Sequence, residues 1–338
     1  EFITSAVYEK EIPGAVLAIA NSNEIVYCKA FGMAHVEKQV KMTEQTLFDC
    51  ASLTKVVATA ASAFTLLEKG LIDLDDSISY YYPQFIRFHE EVKIRHLLTH
   101  TSGFQSEIKF YKEHISYDEL MERIADDPNR KQIECAVIYS DVNYILLGKI
   151  IEKITNEPLA HYATHNIFEP LKMTHTCFNP KSVAQEKIAA TEYRDYLQDY
   201  QWGEVHDENA LHFGGVSGHA GLFSTAHDLT LFAQAFMKDT PSIFTEQTKR
   251  LSKQSHSKQL DEQRGLGWQL YSAPSFSGQY LQDGFGHTGF TGTSIWISDE
   301  QQLAIILLTN RVHFGRSCQI QRFRRIVHNL IALDNFKK

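Results

Sequence analysis

Ser52 and Lys55 stand three positions apart at the start of an apolar stretch, residues 56–67. In a helix, side chains at this spacing lie on the same face, so the lysine amine would contact the serine hydroxyl. A helix start also favours negative charge on the serine oxygen. The lysine can take the hydroxyl proton if desolvation lowers its pKa. The spacing therefore predicts a nucleophilic serine.

The same Ser-x-x-Lys pattern occurs at Ser106…Lys109 and at Ser255…Lys258. About one match is expected by chance in a chain of this length. Both of these matches lie in polar or mixed segments without apolar helical periodicity. Only Ser52 precedes a long helix of small and apolar residues, which Gly70 would end as a C-cap. We therefore assign the chemistry to Ser52, while the pattern alone leaves an ordinary helix start open.

A second cluster, Tyr139-Ser140-Asp141, comes directly before a strongly amphipathic segment, residues 141–154. A tyrosinate next to a lysine ammonium can act as a general base and then return the proton as an acid. The alternative is a half-buried core tyrosine followed by a helix N-cap.

A third cluster, His287-Thr288-Gly289-Phe290, leads into an apolar strand. Glycines at a strand edge allow a ligand backbone to approach, so a peptide-like substrate could pair with this edge. The backbone N–H groups of Phe290 and Ser52 could then form a two-donor oxyanion hole. The alternative is a glycine-rich hairpin turn.

The elements that must position these clusters fall into three blocks along the chain. Alternation and turn residues predict strands over residues 15–19 and 25–31 at the start, and over 266–271, 293–297 and 303–308 near the end. Helical periodicity predicts helices over 94–98, 141–154, 159–168 and 226–237 in the middle, and a closing helix over 320–333.

This order predicts an α+β fold, an α/β sandwich in which both chain ends form one antiparallel sheet with flanking helices. Residues 1–58 and 265–338 would make a discontinuous α/β domain, and residues 59–264 a mainly helical inserted domain. We expect the active-site cleft between the two domains, where ligand sites tend to lie.

Composition excludes several classes of protein. The net charge of −8 and the pI of about 6.1 provide no basic field for nucleic acid. No apolar run is long enough to form a transmembrane segment, and no signal peptide is visible. The five cysteines are scattered, which indicates neither a disulfide framework nor a zinc site. The 16 histidines include no H-E-x-x-H motif, and the serines include no G-x-S-x-G elbow. A metallohydrolase and an α/β-hydrolase are therefore disfavoured.

Together, the three motifs in this order resemble the class C β-lactamase and penicillin-binding-protein family, which also contains DD-peptidases, D-aminopeptidases and esterases. Three flanking segments are similar to segments of that family: Arg95-His96-Leu97-Leu98-Thr99-His100-Thr101-Ser102-Gly103, Tyr144-Ile145-Leu146-Leu147-Gly148 and Gly218-His219-Ala220-Gly221-Leu222-Phe223-Ser224-Thr225. The similarity runs from about Gly14 to about Asn310. The resemblance implies a β-lactamase/transpeptidase-like fold and favours an extracytoplasmic location.

Carried over by position, the resemblance implies a catalytic set and a substrate-binding set, with no metal and no cofactor. The catalytic residues would be Ser52 as nucleophile, Lys55 as its proton partner and Tyr139 as the base. Asp141 would contact substrate or hold Lys55. The substrate-binding edge would comprise His287, Thr288, Gly289 and Phe290.

Two positions depart from the β-lactamases of this family, which usually have lysine at His287 and asparagine at Asp141. A neutral histidine lacks the charge of lysine, and the added carboxylate would repel the carboxylate of a penicillin or of a D-Ala-D-Ala end, so both changes argue against an efficient β-lactamase. Histidine in this motif resembles some DD-peptidases and D-aminopeptidases of the family, so the expected substrate is a D-amino-acid, cell-wall-type peptide, with an ester or a β-lactam as alternatives. A non-catalytic β-lactam- or muropeptide-binding protein remains the alternative of another class. We also expect His287 to bind carboxylates through its charge, with affinity rising as the pH falls through its pKa.

Overall fold

The central feature of the computed structural model, which describes residues 1–87, 91–237 and 242–335, is a seven-stranded sheet in the order β3-β2-β1-β12-β11-β10-β9. The strands, in chain order, are β1 (Gly14–Ala20), β2 (Ile25–His35), β3 (Val40–Lys41), β4 (Phe48–Asp49), β5 (Cys177–Phe178), β6 (Tyr193–Arg194), β7 (Asp199–Tyr200), β8 (Leu222–Ser224), β9 (Gln269–Leu270), β10 (Phe285–Thr288), β11 (Ser294–Ser298) and β12 (Leu303–Thr309).

Helices fill the rest of the fold. The α-helices are α1 (Phe2–Tyr8), α2 (Ala61–Glu68), α3 (Ile78–Tyr81), α4 (Ile94–Thr99), α5 (Phe110–Glu113), α6 (Tyr117–Ala125), α7 (Asp141–Thr155), α8 (Leu159–Ala163), α9 (Glu208–His212), α10 (Ala226–Phe236), α11 (Glu246–Lys253) and α12 (Gln321–Asn335). Two segments are π-helical, Lys55–Ala60 and Thr164–Phe168, and three are 3₁₀-helical, Pro83–Arg87, Gln185–Lys187 and Arg311–Phe314.

The first and last strands of the chain pair in the middle of this sheet, as the sequence predicts. Strand β1 runs antiparallel to β12, with Ala15 opposite Thr309 and Ala18 opposite Ile306. Every residue of β12 is buried, because helices cover both faces of the sheet. The α+β prediction is confirmed. The sheet places His287 and Thr288 of the third motif at the end of β10, which is separated from β1 by β12 and β11.

The larger apolar core continues across both parts of the chain. It includes Val16 and Ile306 from the sheet together with Leu97 and Ile145 from the helical part. A second core lies on the opposite face, where α1 and α12 cover the sheet through residues such as Phe323. The boundaries at residues 58/59 and 264/265 stay a prediction.

Two predicted elements differ from those observed. The strand expected over residues 266–271 is reduced to β9, because Gly267 has a φ of +81° and its N–H donates a hydrogen bond to the Leu98 carbonyl rather than to a strand. The helix predicted over 159–168 changes from α to π geometry after Ala163. Among the described residues, no helix is long and apolar enough to cross a membrane.

His328, in α12, gives the fold a measurable acid sensitivity. Its Nδ1 donates to the Arg324 carbonyl at 2.7 Å, and burial lowers its pKa to about 4. An unfolded chain would bind this proton near pH 6.5, so stability present above that pH is lost as the pH falls towards 4.

We therefore predict that His328→Gln removes about 3 kcal/mol of the acid-induced loss in unfolding free energy between pH 6.5 and pH 4. Urea unfolding across this range measures the effect, and the difference between the two proteins should be constant above about pH 7.5. Parallel curves for the two proteins down to pH 4 would show that His328 does not titrate abnormally.

Candidate active site

A tight turn between β4 and the π-helix presents Ser52. Ala51 has a φ of +45°, in the left-handed region that alanine rarely adopts. The Ala51 N–H donates to Asp49 Oδ1 at 2.8 Å, and the Thr54 hydroxyl donates to the Ala51 carbonyl at 2.7 Å. These bonds hold a strained backbone that directs Ser52 into a cleft.

Lys55 begins the π-helix one turn later, and its side chain is completely buried. Its Nζ atom lies 2.9 Å from Ser52 Oγ, 2.8 Å from Asp141 Oδ1 and 3.2 Å from the His219 carbonyl oxygen. These partners use the three hydrogens of an ammonium group. The structure thus brings the first two motifs into direct contact.

The charge state of Lys55 differs from the sequence expectation. Burial by itself lowers the pKa of Lys55, but the Asp141 carboxylate and Tyr139 outweigh it and hold the pKa above its usual range. The condition under which Lys55 could take the serine proton, a pKa lowered by desolvation, is therefore not met. A lysine that stays protonated cannot accept the serine proton, although it can stabilise an anion next to it.

Asp141 is held by Lys55, which was one of its two expected roles. Its carboxylate is paired at 2.8 Å and is the first-turn acid of α7. Because the charge is neutralised within this pair, the expected repulsion of a substrate carboxylate is weakened. Asp141 is thus compatible with an anionic substrate.

Tyr139 lies half-buried between the positive groups of the site. Its ring centroid is 4.9 Å from Lys55 Nζ, 5.6 Å from Arg264 Cζ and 4.5 Å from the His100 ring centroid. The His100 Nδ1 accepts the N–H of Ser140 at 3.1 Å, which fixes the backbone beside the tyrosine. Two positively charged groups therefore lie beside the phenol ring.

The third motif is fastened to the nucleophile turn by side-chain hydrogen bonds. The hydroxyl of Thr291 donates to the Asp49 carbonyl at 2.7 Å, and that of Thr293 donates to the Cys50 carbonyl at 3.0 Å. Gly289 is required in this turn, because a Cβ atom there would collide with the Cys50 carbonyl oxygen. Phe290 and Ser52 consequently line the same cleft.

His287 is buried at the end of β10 and is neutral. Its Nδ1 lies 2.9 Å from the Thr288 carbonyl oxygen, so this nitrogen carries the hydrogen. Burial, together with the charges of Arg264 and Lys55, holds the pKa of His287 well below its usual value. The expectation that an imidazolium at this position binds carboxylates is therefore wrong.

Positive charge reaches the cleft from arginines instead. The cleft encloses about 290 Å³ and is lined by Ser52, Tyr139, Arg264, Gln269, His287, Thr288, Gly289, Phe290, Arg311, Gln319, Ile320, Gln321 and Arg324. Arg264 is buried, and Glu262 at 2.8 Å is its salt-bridge partner. Within the described ranges, its Nε and Nη1 atoms have no hydrogen-bond partner, and no aspartate or glutamate lines the cleft.

A buried polar chain supports Lys55 from the side of the helical part. His219 Nε2 lies 2.8 Å from Asp207 Oδ1, and its Nδ1 lies 2.9 Å from Ser217 Oγ. Burial opposes ionisation of Asp207, but His219 and Lys55 together hold its pKa well below the usual range. This chain fixes the backbone carbonyl of His219 that accepts the lysine hydrogen bond.

Among the described residues, two groups of three side chains place metal-type ligand atoms within 4.8 Å of one another: Asp141, Asp207 and His219, and His35, Glu37 and His313. In the first group, the Lys55 ammonium already serves as the cation for Asp141 and for the His219 carbonyl. In the second, Glu37 already binds His313 Nε2 at 2.8 Å.

The structure brings every predicted site residue to this cleft or to Lys55, whereas the two other Ser-x-x-Lys matches lie outside the cleft lining. Sequence reasoning missed Arg264, which ends a polar run without any local signal. It gave His219 only as part of a flanking segment that is similar to the family, without a role. Asp207 is the N-cap residue of α9, and this position is a signal from which the sequence could have predicted an ordered side chain there.

Comparisons with known proteins agree with this geometry. The family model described as Beta-lactamase matches residues 1–328, so the chain belongs to this family of serine hydrolases. A protein of Escherichia coli K12 named "Putative D-alanyl-D-alanine carboxypeptidase" is 35% identical over 344 residues, covering 89% of this chain and 79% of the relative.

Two solved structures share the fold. The octameric penicillin-binding protein homologue from Pyrococcus abyssi has a TM-score of 0.79 at 24% identity, over 98% of this chain and 76% of the other. EstCE1, a hydrolase with promiscuous acyltransferase activity, has a TM-score of 0.77 at 22% identity, over 97% of this chain and 96% of EstCE1. At these identities the likeness establishes the β-lactamase/transpeptidase-like fold.

The Lys55–Asp141 pair yields a stability prediction. Asp141→Asn leaves a buried ammonium without its counter-ion, so we expect the unfolding free energy at neutral pH to fall by about 3 kcal/mol. Adding Lys55→Met to this variant should recover most of the loss, as chemical denaturation would show. Glu152→Gln, which breaks the more exposed pair with Lys149, is the matched control and should cost at most about 1 kcal/mol. Equal costs for the two single variants would contradict the account.

The neutrality of His287 yields a prediction on pH. In a Ser52→Ala variant, the affinity for a carboxylate ligand should show no histidine-type increase as the pH falls from about 8 to about 5.5. The reason is that the depressed pKa keeps the imidazole uncharged throughout this range. Calorimetric titration measures the affinity, and His287→Asn should give a parallel pH profile. A rise in affinity towards low pH that disappears in His287→Asn would overturn the assignment.

Proposed function

We propose that this protein is a serine acyl hydrolase that cleaves a D-amino-acid, cell-wall-type peptide bearing a carboxylate next to the scissile bond. The observation that carries this proposal is the buried Lys55 ammonium, which contacts Ser52 Oγ at 2.9 Å and Asp141 at 2.8 Å beside Tyr139. A serine, a fixed cation and a phenol in a cleft are the parts that acyl transfer needs.

In the proposed reaction, Ser52 Oγ attacks the substrate carbonyl carbon while its proton passes to Tyr139. The Lys55 ammonium stabilises the tyrosinate that accepts this proton. Tyr139 then gives the proton to the leaving amine, which departs as the acyl–Ser52 ester forms. In the second half, Tyr139 takes a proton from water while the water oxygen attacks the acyl carbon. Tyr139 then returns this proton to Ser52 Oγ as the acyl–Ser52 ester bond breaks and the acid product leaves. The N–H groups of Ser52 and Phe290 would hold the oxyanion.

The arginines support an anionic substrate. Arg264 lines the cleft, and its Cζ atom lies 5.6 Å from the Tyr139 ring centroid, so its positive charge attracts a substrate carboxylate towards this side of the cleft. Strand β9 pairs with β10 only at Phe285 and Gly286, leaving the edge at His287 and Thr288 to an extended peptide. The name of the E. coli relative, "Putative D-alanyl-D-alanine carboxypeptidase", points to the same substrate class.

A pair of substrates that differ in one charge tests this proposal: a peptide ending in D-Ala-D-Ala and the same peptide as its C-terminal amide. The wild-type protein should prefer the acid. Arg264→Gln should lower kcat/KM for the acid by about 10- to 100-fold, the worth of a charge-assisted contact, and should leave the amide nearly unaffected. Arg123→Gln, which alters an exposed ion pair with Glu113, is the matched control and should change neither.

Three controls separate the alternatives. Ser52→Ala should abolish hydrolysis of either peptide, and mass spectrometry should find the acyl group on Ser52 in the wild-type protein. Rapid hydrolysis of p-nitrophenyl acetate without peptide turnover would instead indicate an esterase, and turnover of nitrocefin a β-lactamase. Stable acylation without any turnover would indicate a binding protein. Equal rates on the acid and the amide would contradict the role of Arg264.

A further inference from the structure

His161 and His165 face each other on the helical surface formed by α8 and the π-segment after it. Their Nε2 atoms are 2.9 Å apart, and the two rings are nearly perpendicular, at 87°. Both side chains are about half exposed, so solutes can reach them. The pair does not line the Ser52 cleft.

The hydrogen bonds of the two Nδ1 atoms determine whether the Nε2 atoms of the same rings carry a hydrogen or a lone pair. His161 Nδ1 lies 2.6 Å from Glu157 Oε2, and His165 Nδ1 lies 2.8 Å from Glu169 Oε2. A carboxylate only accepts hydrogen bonds, so each Nδ1 carries a hydrogen. In the neutral rings, both Nε2 atoms therefore present lone pairs to each other. Two acceptors at this distance repel unless a proton or a metal ion lies between them.

We propose that His161 and His165 form a binding site for an imidazole-seeking divalent transition-metal ion. An ion bonded at about 2.1 Å to both Nε2 atoms, which are 2.9 Å apart, would have a nitrogen–metal–nitrogen angle of about 90°. This angle is that of two neighbouring ligands in square-planar or octahedral coordination. A tetrahedral ion would need the nitrogens about 3.4 Å apart. The geometry thus favours Ni²⁺ or Cu²⁺ over Zn²⁺, with solvent completing the coordination.

The surroundings suit a dication. Glu157 and Glu169 each orient one ring in the carboxylate–histidine–metal arrangement that is common at protein metal sites. Their two negative charges balance the two positive charges of the ion. The ligands follow the i, i+4 spacing of a helix, and the ring of His165 belongs to a π-turn, a geometry that is frequent at functional sites.

Calorimetric titration of the tag-free protein with Ni²⁺ tests the site. We expect one saturable ion per chain, weaker binding of Zn²⁺ and none of Mg²⁺. His161→Gln and His165→Gln should each remove this binding. Glu157→Gln, which keeps both ligands, should weaken it by about 10- to 100-fold, as expected for a residue that orients a ligand.

His212→Gln provides the matched control, because His212 also neighbours another histidine, His114, but at 6.4 Å between ring centroids and with Nε2 bonded to the Ile115 carbonyl. This variant should bind Ni²⁺ like the wild type. Absence of binding to the wild type, or equal binding by His161→Gln and wild type, would overturn the proposal. Hydrolysis at Ser52 should be unchanged in every variant, so the result does not depend on the proposed catalytic function.

Discussion

The buried ammonium of Lys55 is the interaction on which the rest of the site depends. Taking a positive charge out of water is costly, and Asp141 at 2.8 Å offsets that cost only because the remaining hydrogens also find partners in Ser52 and the His219 carbonyl. The Lys55 Nζ atom consequently connects three segments: the turn that holds Ser52, the start of α7 and the loop before β8. Any movement of these segments would leave a buried charge unpaired.

The charge of Lys55 explains why the other polar groups of the site have different roles. Since Lys55 remains protonated, it acts as a fixed charge, and the mobile proton is assigned to Tyr139. Since burial, Arg264 and Lys55 together hold the pKa of His287 below its usual value, our proposal assigns recognition of a substrate carboxylate to Arg264. The Asp141 that distinguishes this chain from related β-lactamases is thus part of the charge balance of the cleft, and its effect on substrate is weakened by pairing.

The sequence predicts much of this arrangement, because the motifs are local and the elements around them are strongly periodic. The helix after Tyr139 and the pairing of both chain ends follow from apolar patterns that the core enforces. The break at Gly267 and the π-turn at Lys55 depend on contacts distant in the chain, so periodicity could not show them. Arg264 is the clearest case: it lies 125 positions after Tyr139, and only folding places the two together. The charge of Lys55 was missed because burial and pairing act in opposite directions, and only the distance to Asp141 decides between them.

An NMR titration of the Lys55 side chain, in protein with isotopically labelled lysine and with Lys55→Met to assign the signal, tests this account most directly. We predict that Lys55 stays protonated beyond about pH 10 in the wild-type protein and that its pKa falls in Asp141→Asn, where burial is no longer opposed. A Lys55 signal that titrates near neutral pH with Asp141 intact would show that the lysine itself is the base, and would contradict the central claim.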